Sequence, residues 1–328
     1  MCKLFDSYNR VHNYLRISLT DDCNFRCIYC TPEESIQCFS RQELMTSDEI
    51  FEIAKLFTDN GTNKIRLTGG EPLVRYDFAE IVEKLARLPV ELTLTTNGAL
   101  LHKYVKLLKE NGVKSVNISL DSFDNERFKS ITKRNAFSQV WENILLCLKE
   151  GFYVKLNVVV MKGINEAEIP DFIARTRNLP IHVRFIEFMP FSGNDWEISR
   201  VVTMKEMLSA IEEDFFVEKI QDNKHDTAKK YRVRGYKGTF AFITAVSHPF
   251  CNECNRIRLT ADGKIKNCLF GKEKFDVLGP LRKGEDIQPV ISECLIRKQD
   301  KPENRPENYK NRDSDYLEDQ LMIIKIGG

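Results

Sequence analysis

Residues 15–30 read LRISLTDDCNFRCIYC, an apolar strand-like run followed directly by a loop with three cysteines. Cys23, Cys27 and Cys30 have the spacing C-x3-C-x2-C. Three thiolates on one short loop can hold three irons of a [4Fe–4S] cluster, which normally takes four cysteine ligands. The absent fourth ligand would leave one iron open to bind a small molecule. The alternative is a zinc knuckle completed by His12 or Cys38, although an aromatic residue between the last two cysteines has no rationale at a zinc site.

The first 190 residues alternate strand-like and helical patterns. The helical patterns include one that begins at a capping box, Thr46 with Glu49, and ends near Gly61. Successive strand–helix units favour a parallel sheet with right-handed crossovers. Six units predict an α/β fold, an incomplete (β/α)6 TIM-like barrel, with a doubly wound open sheet as the alternative. The six strand-like runs are residues 15–19, 64–67, 91–94, 115–120, 154–160 and 182–188.

The pattern changes after residue 200. A helix is expected to start at Thr203, followed by short strands near 231–234 and 239–246 and a hairpin turn at 261–264. We therefore predict a partial barrel over 1–200 and a small C-terminal α+β domain over 201–297. Residues 298–328 are expected to form a flexible charged loop and a tail that ends in Gly327 and Gly328.

Composition excludes several classes of protein. The 328 residues carry a formal net charge of +1, with 42% hydrophobic and 30% charged residues. This charge argues against broad attraction to nucleic acid or membrane, so an anionic ligand would need a local cluster of basic side chains. The start of the chain lacks a signal-peptide pattern, and no apolar run approaches a membrane span, which favours the cytosol. Clustered cysteines in a reducing compartment favour metal binding or redox chemistry, whereas isolated Cys147 is expected in the core and Cys38 as a free thiol.

A second cysteine group lies far downstream. Cys251, Cys254 and Cys268 have the spacing C-x2-C-x13-C, which again provides three thiolates and favours a second cluster with one open iron. Zinc with His248 as the fourth ligand is the alternative. Arg256 and Arg258 alternate on an extended segment and so share one face, where their forked donors match phosphate oxygens. A solvated surface strand would show the same alternation.

The first motif resembles the signature of the radical S-adenosylmethionine superfamily. The segment Gly69-Gly70-Glu71-Pro72 after the second strand resembles the superfamily's contact to the cofactor's methionine amino group. In that superfamily the open iron chelates S-adenosylmethionine, and an electron splits the sulfonium bond to give a 5′-deoxyadenosyl radical. The resemblance implies the barrel fold and S-adenosylmethionine as cofactor, with the protein supplying placement and exclusion of water.

Residues 248–270, HPFCNECNRIRLTADGKIKNCLF, resemble the second-cluster motif of the GTP 3′,8-cyclase family. The opening residues 14–30 and the Gly-Gly ending are also similar to that family. The resemblance implies two [4Fe–4S] clusters, held by Cys23, Cys27 and Cys30 and by Cys251, Cys254 and Cys268. It implies S-adenosylmethionine contacts at Tyr29, Gly70, Ser119 and Met189, and GTP contacts at Arg16, Arg66, Thr95, Lys155, Arg256, Ile257 and Arg258. Gly327, Gly328 and Arg258 would take part in catalysis.

The function implied by this resemblance is conversion of GTP to (8S)-3′,8-cyclo-7,8-dihydroguanosine 5′-triphosphate, the first step of molybdenum cofactor biosynthesis. The implied partners are an electron donor protein or reductant and a downstream cyclic pyranopterin monophosphate synthase, with a homodimer possible. A peptide-modifying radical enzyme with an auxiliary cluster is one alternative, but such enzymes usually carry longer, cysteine-richer C-terminal domains. A zinc-binding interaction protein without catalysis is the other.

Overall fold

A computed structural model describes residues 4–30, 38–223 and 225–300. The strands are β1 Tyr14–Ser18, β2 Lys64–Thr68, β3 Glu91–Thr96, β4 Ser115–Ser119, β5 Tyr153–Val160, β6 His182–Glu187, β7 Val217–Lys219, β8 Ala228–Val233, β9 Thr239–Ile243, β10 Arg256–Leu259, β11 Lys264–Lys266 and β12 Phe275–Asp276. The α-helices are α1 Ser47–Asp59, α2 Phe78–Leu85, α3 Val105–Glu110, α4 Asn125–Thr132, α5 Phe137–Lys149, α6 Ile169–Arg175, α7 Met204–Glu212, α8 Leu278–Arg282 and α9 Gln288–Ile296.

The first six strands form a parallel sheet in chain order, β1-β2-β3-β4-β5-β6. Helices lie between successive strands, so the six predicted strand–helix units are confirmed. A doubly wound sheet reverses its strand order at a switch point, and this run has no reversal. The sheet is not closed, which is the arrangement of an incomplete barrel.

The C-terminal strands extend this sheet at both edges. β10 pairs in parallel with β1, and β9 pairs in parallel with β6. Antiparallel strands follow outward, β11 and β12 beyond β10 on one side and β8 and β7 beyond β9 on the other. Within the described ranges eight neighbouring strands are therefore parallel, and the seam of the barrel lies between β9 and β10. Whether residues 201–297 form a domain of their own stays a prediction.

Local sequence signals place several elements as expected. Thr46 caps α1 and Thr203 caps α7, and each makes a reciprocal capping box with the glutamate three residues later. The predicted turn at 261–264 joins β10 and β11 as an antiparallel hairpin. The helices α4, α8 and α9 were not predicted from the sequence. α9 is the clearest omission, since its weak amphipathic pattern gives little periodic signal.

The two faces of the sheet differ in character. Outward-pointing residues of the parallel strands, such as Leu15, Ile65 and Val116, pack with the helices in one continuous core. Cys147 of α5 lies in that core, as predicted. The inward-pointing residues are largely polar, so the barrel interior is a place for a ligand rather than a second core. None of the helices in the described ranges has both the length and the apolar character that a bilayer crossing requires.

Candidate functional site: two cavities at the mouth of the barrel

The first cysteine trio lies on a loop held by backbone hydrogen bonds. The amides of Arg26 and Ile28 donate to carbonyls at the end of α4, at Thr132 and Ile131, both at 3.0 Å. The amide of Cys30 donates to the carbonyl of Cys27 at 2.9 Å, and the amide of Phe25 lies 3.4 Å from the Cys23 sulfur. Phe25 itself is buried in the core. The loop is therefore held by its backbone hydrogen bonds and by the buried Phe25 side chain. The three thiols lie on the side of the loop that faces a cavity.

The glycines after β2 pack against the backbone that leads into this loop. A Cβ on Gly70 would lie 2.2 Å from the carbonyl oxygen of Asp22, and one on Gly69 would lie 2.5 Å from that of Thr20. The Gly70 amide donates to Thr20 at 2.7 Å, and the Glu71 amide donates to Asp22 at 2.8 Å. Glycine is required here because two backbones approach closely. Gly70 also lines the cavity beside the thiols.

We name this space the cysteine cavity; it is lined by Cys23, Cys27 and Cys30 at the carboxyl ends of the strands. All four residues predicted to contact S-adenosylmethionine also line it, namely Tyr29, Gly70, Ser119 and Met189. The Tyr29 hydroxyl lies 2.8 Å from Asp121, which also accepts from the Val159 amide at 2.8 Å. The four predicted residues come from loops or strand ends 40 to 70 positions apart in the sequence, and the barrel brings them together.

Two buried acids accompany the cysteine cavity. Burial raises the pKa of Glu71 to about 7 and that of Asp121 to about 6. Glu71 accepts hydrogen bonds from Thr96 and from the Asn97 amide, each at 2.7 Å. Burial and the charge of Glu71 raise the pKa of the Cys23 thiol to about 12. Metal binding here must therefore displace protons from thiols that otherwise keep them.

A second space, which we name the arginine cavity, opens beside the first. Arg16 on β1, Arg66 on β2, Arg184 on β6, and Arg256 and Arg258 on β10 line it together with Thr95. Register explains the convergence, because Arg16 is directly opposite Arg66 on one side and Arg258 on the other. Side chains paired across neighbouring strands point to the same face. The prediction that Arg256 and Arg258 share a face is confirmed, and that face is the barrel interior.

Positive charge is concentrated in the arginine cavity. Burial, then repulsion from neighbouring arginines, lowers the pKa of Arg258 to about 10 and that of Arg184 to about 9. Burial alone would raise the pKa of Tyr14, but Arg66, Arg16 and Arg256 together lower it to about 7. The Nε atoms of Arg184 and Arg256 are buried and find no hydrogen-bond partner in the described part of the chain. Such a site favours a polyanion, whose oxygens would accept from these donors.

The second cysteine trio forms part of the wall of the arginine cavity. Cys251 and Cys254 come from the connection between β9 and β10, and Cys268 follows β11. The seam of the barrel is bridged here, because Arg256 donates to the Thr227 hydroxyl at 2.8 Å. Burial alone would raise the pKa of the Cys254 thiol, but the positive charges of Lys298 and Arg256 outweigh burial, and the net effect is a lowered pKa. The surroundings of the second trio are thus cationic.

The two cavities are neighbours. Thr95, Asn157, Ile186 and Met189 line both of them. A ligand at the first trio and a ligand at the second would therefore be separated only by these side chains. Cys30 and Cys251 are 221 residues apart in the sequence. The two motifs by themselves therefore could not establish that the cavities are neighbours.

Some predicted site residues do not line either cavity. Lys155 lies below Asn157 on the inner face of β5, where burial and then Arg184 and Arg66 lower its pKa to about 8. The side chain of Ile257 points away from its arginine neighbours into the core, because residues alternate along a strand. Gly327 and Gly328 lie outside the described residues.

The alternative zinc ligands are engaged elsewhere. The His12 Nε2 lies 3.0 Å from Asp6, and exposed His248 contacts the Ser247 hydroxyl at 3.1 Å. Cys38 lies 3.9 Å from the Asp21 carbonyl. Within the described ranges, no three His, Cys, Asp or Glu side chains are placed to hold one metal ion. Each trio does provide the thiol donors that iron–sulfur clusters use, on the wall of a cavity with room beside it.

Arg184 and Asn117 line the arginine cavity but were not singled out from the sequence. Both lie on inward positions of parallel strands. Arg184 donates to Asn157, its register partner on β5. Each is a polar residue inside an otherwise apolar strand, and two-residue alternation along the strand would have placed them inside the barrel.

Family models match almost all of the described chain. The Radical SAM superfamily model matches residues 17–175, and the Molybdenum Cofactor Synthesis C model matches residues 181–304. These two ranges contain the first and the second cysteine trio, respectively.

Curated relatives are similar over most of the chain. GTP 3′,8-cyclase of Desulforamulus reducens is 39% identical, over 99% of this chain and 100% of the relative. The mitochondrial GTP 3′,8-cyclase of Arabidopsis thaliana is 43% identical, over 90% of this chain and 77% of the relative. Molybdenum cofactor biosynthesis protein moc-5 of Caenorhabditis elegans is 42% identical, over 90% of this chain and 50% of the relative. The chain spans about half the length of several such animal relatives.

Solved structures share the fold at low sequence identity. Streptococcus suis SuiB bound to S-adenosylmethionine superposes with a TM-score of 0.63 at 15% identity, over 97% of this chain and 73% of SuiB. Native anSMEcpe with bound AdoMet superposes with a TM-score of 0.61 at 16% identity, over 90% of this chain and 84% of that chain. Both confirm the incomplete barrel.

Proposed function

Because the chain belongs to the GTP 3′,8-cyclase family of radical S-adenosylmethionine enzymes, we propose that it converts GTP to (8S)-3′,8-cyclo-7,8-dihydroguanosine 5′-triphosphate. This reaction opens molybdenum cofactor biosynthesis. The observation that carries the proposal is the contiguity of the two cavities, one with the first trio and one with six arginines and the second trio.

The cysteine cavity fits the family's cofactors, S-adenosylmethionine and an iron–sulfur cluster. Cys23, Cys27 and Cys30 would hold the cluster, which with S-adenosylmethionine supplies a 5′-deoxyadenosyl radical that abstracts hydrogen from substrate. Tyr29 and Met189 would lie against the cofactor. The Tyr29 hydroxyl donates a hydrogen bond to Asp121, which holds the Tyr29 ring in place. The close packing of the Gly70 backbone against that of Asp22 keeps this wall of the cysteine cavity compact.

The arginine cavity suits GTP. Arg16, Arg66, Arg256 and Arg258 would neutralise the triphosphate, since guanidinium groups donate in pairs to phosphate oxygens. Cys251, Cys254 and Cys268 would hold the second cluster at the other wall, with the guanine toward it. The shared wall at Thr95 and Met189 would then present the ribose to the neighbouring cavity. Lys155 lies further down the barrel, so it would attract the triphosphate through its positive charge rather than through direct contact.

The charge of the cavity favours this substrate over the alternatives. A peptide-modifying enzyme would need a groove for a mostly neutral chain, whereas this cavity is lined by six guanidinium groups, those of the five arginines above and of Arg10. A non-catalytic zinc protein has no use for a second cavity beside its metal site. Metal analysis separates that alternative, because two full clusters correspond to about eight irons per chain.

The wider setting belongs to the same proposal. Electrons would come from a reductant or an electron donor protein, and the product would pass to a cyclic pyranopterin monophosphate synthase. We also propose a cytosolic location and a homodimer, and no binding to nucleic acid or membrane, since the net charge is only +1. Sedimentation of the iron-loaded protein tests the dimer.

Anaerobic turnover tests the function. The protein is reconstituted with iron and sulfide and then supplied with reductant, GTP and S-adenosylmethionine. We expect 5′-deoxyadenosine and a cyclised nucleotide isomeric with GTP, both identified by mass. An iron-loaded sample that yields neither product would contradict the proposal, and omission of GTP or of reductant is the control.

A further inference from the structure

Lys298 is buried against the second cysteine trio, although the sequence suggests that it begins a solvated loop. It is 4% exposed. Its Nζ atom lies 3.4 Å from the Cys254 sulfur and 3.1 Å from the Arg256 carbonyl oxygen. Lys298 lies 44 residues from Cys254 in the chain, so tertiary packing alone creates this contact.

Arg10 holds the segment that carries Lys298. Its guanidinium donates to the carbonyls of Gln299 at 2.9 Å and Asp300 at 3.2 Å, and also to the Cys251 carbonyl at 2.9 Å. Its side chain is within 3.6 Å of the Asp300 carboxylate. One buried arginine from the residues before β1 therefore connects the loop that contains Cys251 with the segment 298–300. We name the segment 298–300 the strap.

Arg10 is itself fixed by a buried acid. Asp6 accepts from Arg10 Nε at 2.6 Å and lies 3.0 Å from His12. The Asp6 side chain is fully buried and that of Arg10 is 8% exposed. Buried ion pairs with this many hydrogen bonds hold a defined geometry, because breaking one leaves an uncompensated charge. The strap therefore rests on a rigid anchor.

Among the described residues, no carboxylate accepts a hydrogen bond from the Lys298 ammonium. The groups around it include the cations Arg10 and Arg256, and its Nζ contacts are a sulfur and a carbonyl. A buried ammonium needs a negative partner to offset the loss of hydration. The group in direct contact that can become negative is Cys254, which does so when it ligates a metal.

We propose that Lys298 is a positioning residue for the second iron–sulfur cluster, where its ammonium donates to the Cys254 sulfur and stabilises the electron-rich state of the cluster. Hydrogen bonds to ligand sulfurs and nearby positive charge both favour the reduced cluster and raise its reduction potential. Arg10 sets the distance by pinning the strap. The inference rests on a cluster at the second trio and does not depend on GTP being the substrate.

The test isolates the second cluster. Replacing Cys23, Cys27 and Cys30 by serine leaves a reporter protein that can hold a cluster only at the second trio. Its reduction potential is measured by anaerobic titration followed by electron paramagnetic resonance. In this reporter, Lys298→Met removes the charge at similar length, Lys298→Arg keeps it, and Lys283→Met is the control because Lys283 is exposed directly after the end of α8.

We expect Lys298→Met to shift the potential to more negative values and to release iron to a chelator several-fold faster. Lys298→Arg should recover most of both effects, and Lys283→Met should change neither. Arg10→Met should shift the potential in the same direction by less, and the double variant should show less than the sum, since both act through one contact. Equal potentials in Lys298→Met and Lys283→Met would overturn the proposal, as would a reporter that binds no iron. A melting temperature of the metal-free protein excludes simple unfolding.

Discussion

The two cysteine trios use the same ligand type in opposite electrostatic surroundings. The first lies on one short loop beside the buried acids Glu71 and Asp121, and burial raises the pKa of its Cys23 thiol to about 12. The second is spread over two connections and lies among Arg256, Arg258 and Lys298, where the pKa of Cys254 is lowered. An acidic wall suits a cationic cofactor such as the sulfonium of S-adenosylmethionine. A basic wall suits a triphosphate.

The origin of this difference is topological. The first trio follows β1 and faces the strand ends of β2 to β6, whose polar side chains there are hydroxyls, amides and acids. The second trio lies at the seam beside β10, where the inward residues are arginines. Neighbouring strands therefore divide the mouth of one barrel into two compartments.

The largest expected effect separates the roles of the trios. Cys251→Ser should abolish formation of the cyclised nucleotide but spare reductive cleavage of S-adenosylmethionine, whereas Cys27→Ser should abolish both. The reason is that each thiol belongs to one compartment only. Product and 5′-deoxyadenosine are quantified in the same anaerobic assay. Loss of both activities in Cys251→Ser would mean that the compartments are not independent.

A backbone clash should act on the first compartment alone. Gly70→Ala would place a Cβ 2.2 Å from the Asp22 carbonyl, which must shift the chain leading to Cys23 at a cost of about 3 kcal/mol. We expect a lower melting temperature and loss of S-adenosylmethionine cleavage, with iron at the second trio retained.

Gly112→Ala is the matched control for that clash. Gly112 has φ +72° but nothing within 4 Å of an added Cβ, so only the left-handed backbone is strained, at about 1 kcal/mol. Activity should survive there. If the two variants behaved alike, close backbone contact would not be what holds the first loop.

A conservative change should weaken the second compartment. Arg256→Lys should reduce GTP affinity by about 30-fold, or about 2 kcal/mol, because an ammonium cannot reproduce a forked pair of hydrogen bonds. Binding is measured by equilibrium dialysis of the iron-loaded protein. Affinity for S-adenosylmethionine should stay at the wild-type value. Unchanged GTP affinity would remove Arg256 from the substrate site.

The smallest effect concerns His12, whose protonation at acidic pH should lower the free energy of unfolding. Burial, then the charge of Lys298, lowers the pKa of His12 to about 4 from its ordinary 6.5. A depressed histidine pKa means that the unfolded chain binds the proton first, so stability is full above pH 6.5 and falls as pH drops toward 4. Between pH 7 and 5.5 this amounts to about 1 kcal/mol.

His12→Gln tests that contribution. The amide can still donate to Asp6 but does not titrate, so the variant should lose about 1 kcal/mol less stability than wild type over this pH range. The free energy of unfolding of the metal-free protein at both pH values provides the measurement. His102→Gln is the control, since His102 is exposed. Identical pH profiles for wild type and His12→Gln would contradict the assignment.

Much of the fold followed from local patterns. The six apolar runs became β1 to β6 in order, and the capping boxes at Thr46 and Thr203 start the helices they predicted. Short-range spacing also predicted the grouping of the first trio and of Cys251 with Cys254, because residues on one loop are close in space by covalent connection, whereas Cys268 lies on the next connection. Arg256 and Arg258 share a face for the same reason, through two-residue alternation.

Other features required the folded chain. That β9 and β10 flank the barrel at opposite edges, that Arg184 joins the arginine cavity, and that Lys298 reaches Cys254 all depend on contacts between distant segments. Local sequence patterns were enough to predict the order of β1 to β6 and the thiols of both trios, since these depend on residues close together in the chain. The charges that surround each trio followed only from the folded chain, because register and burial set electrostatic surroundings across strands that are hundreds of residues apart in the sequence.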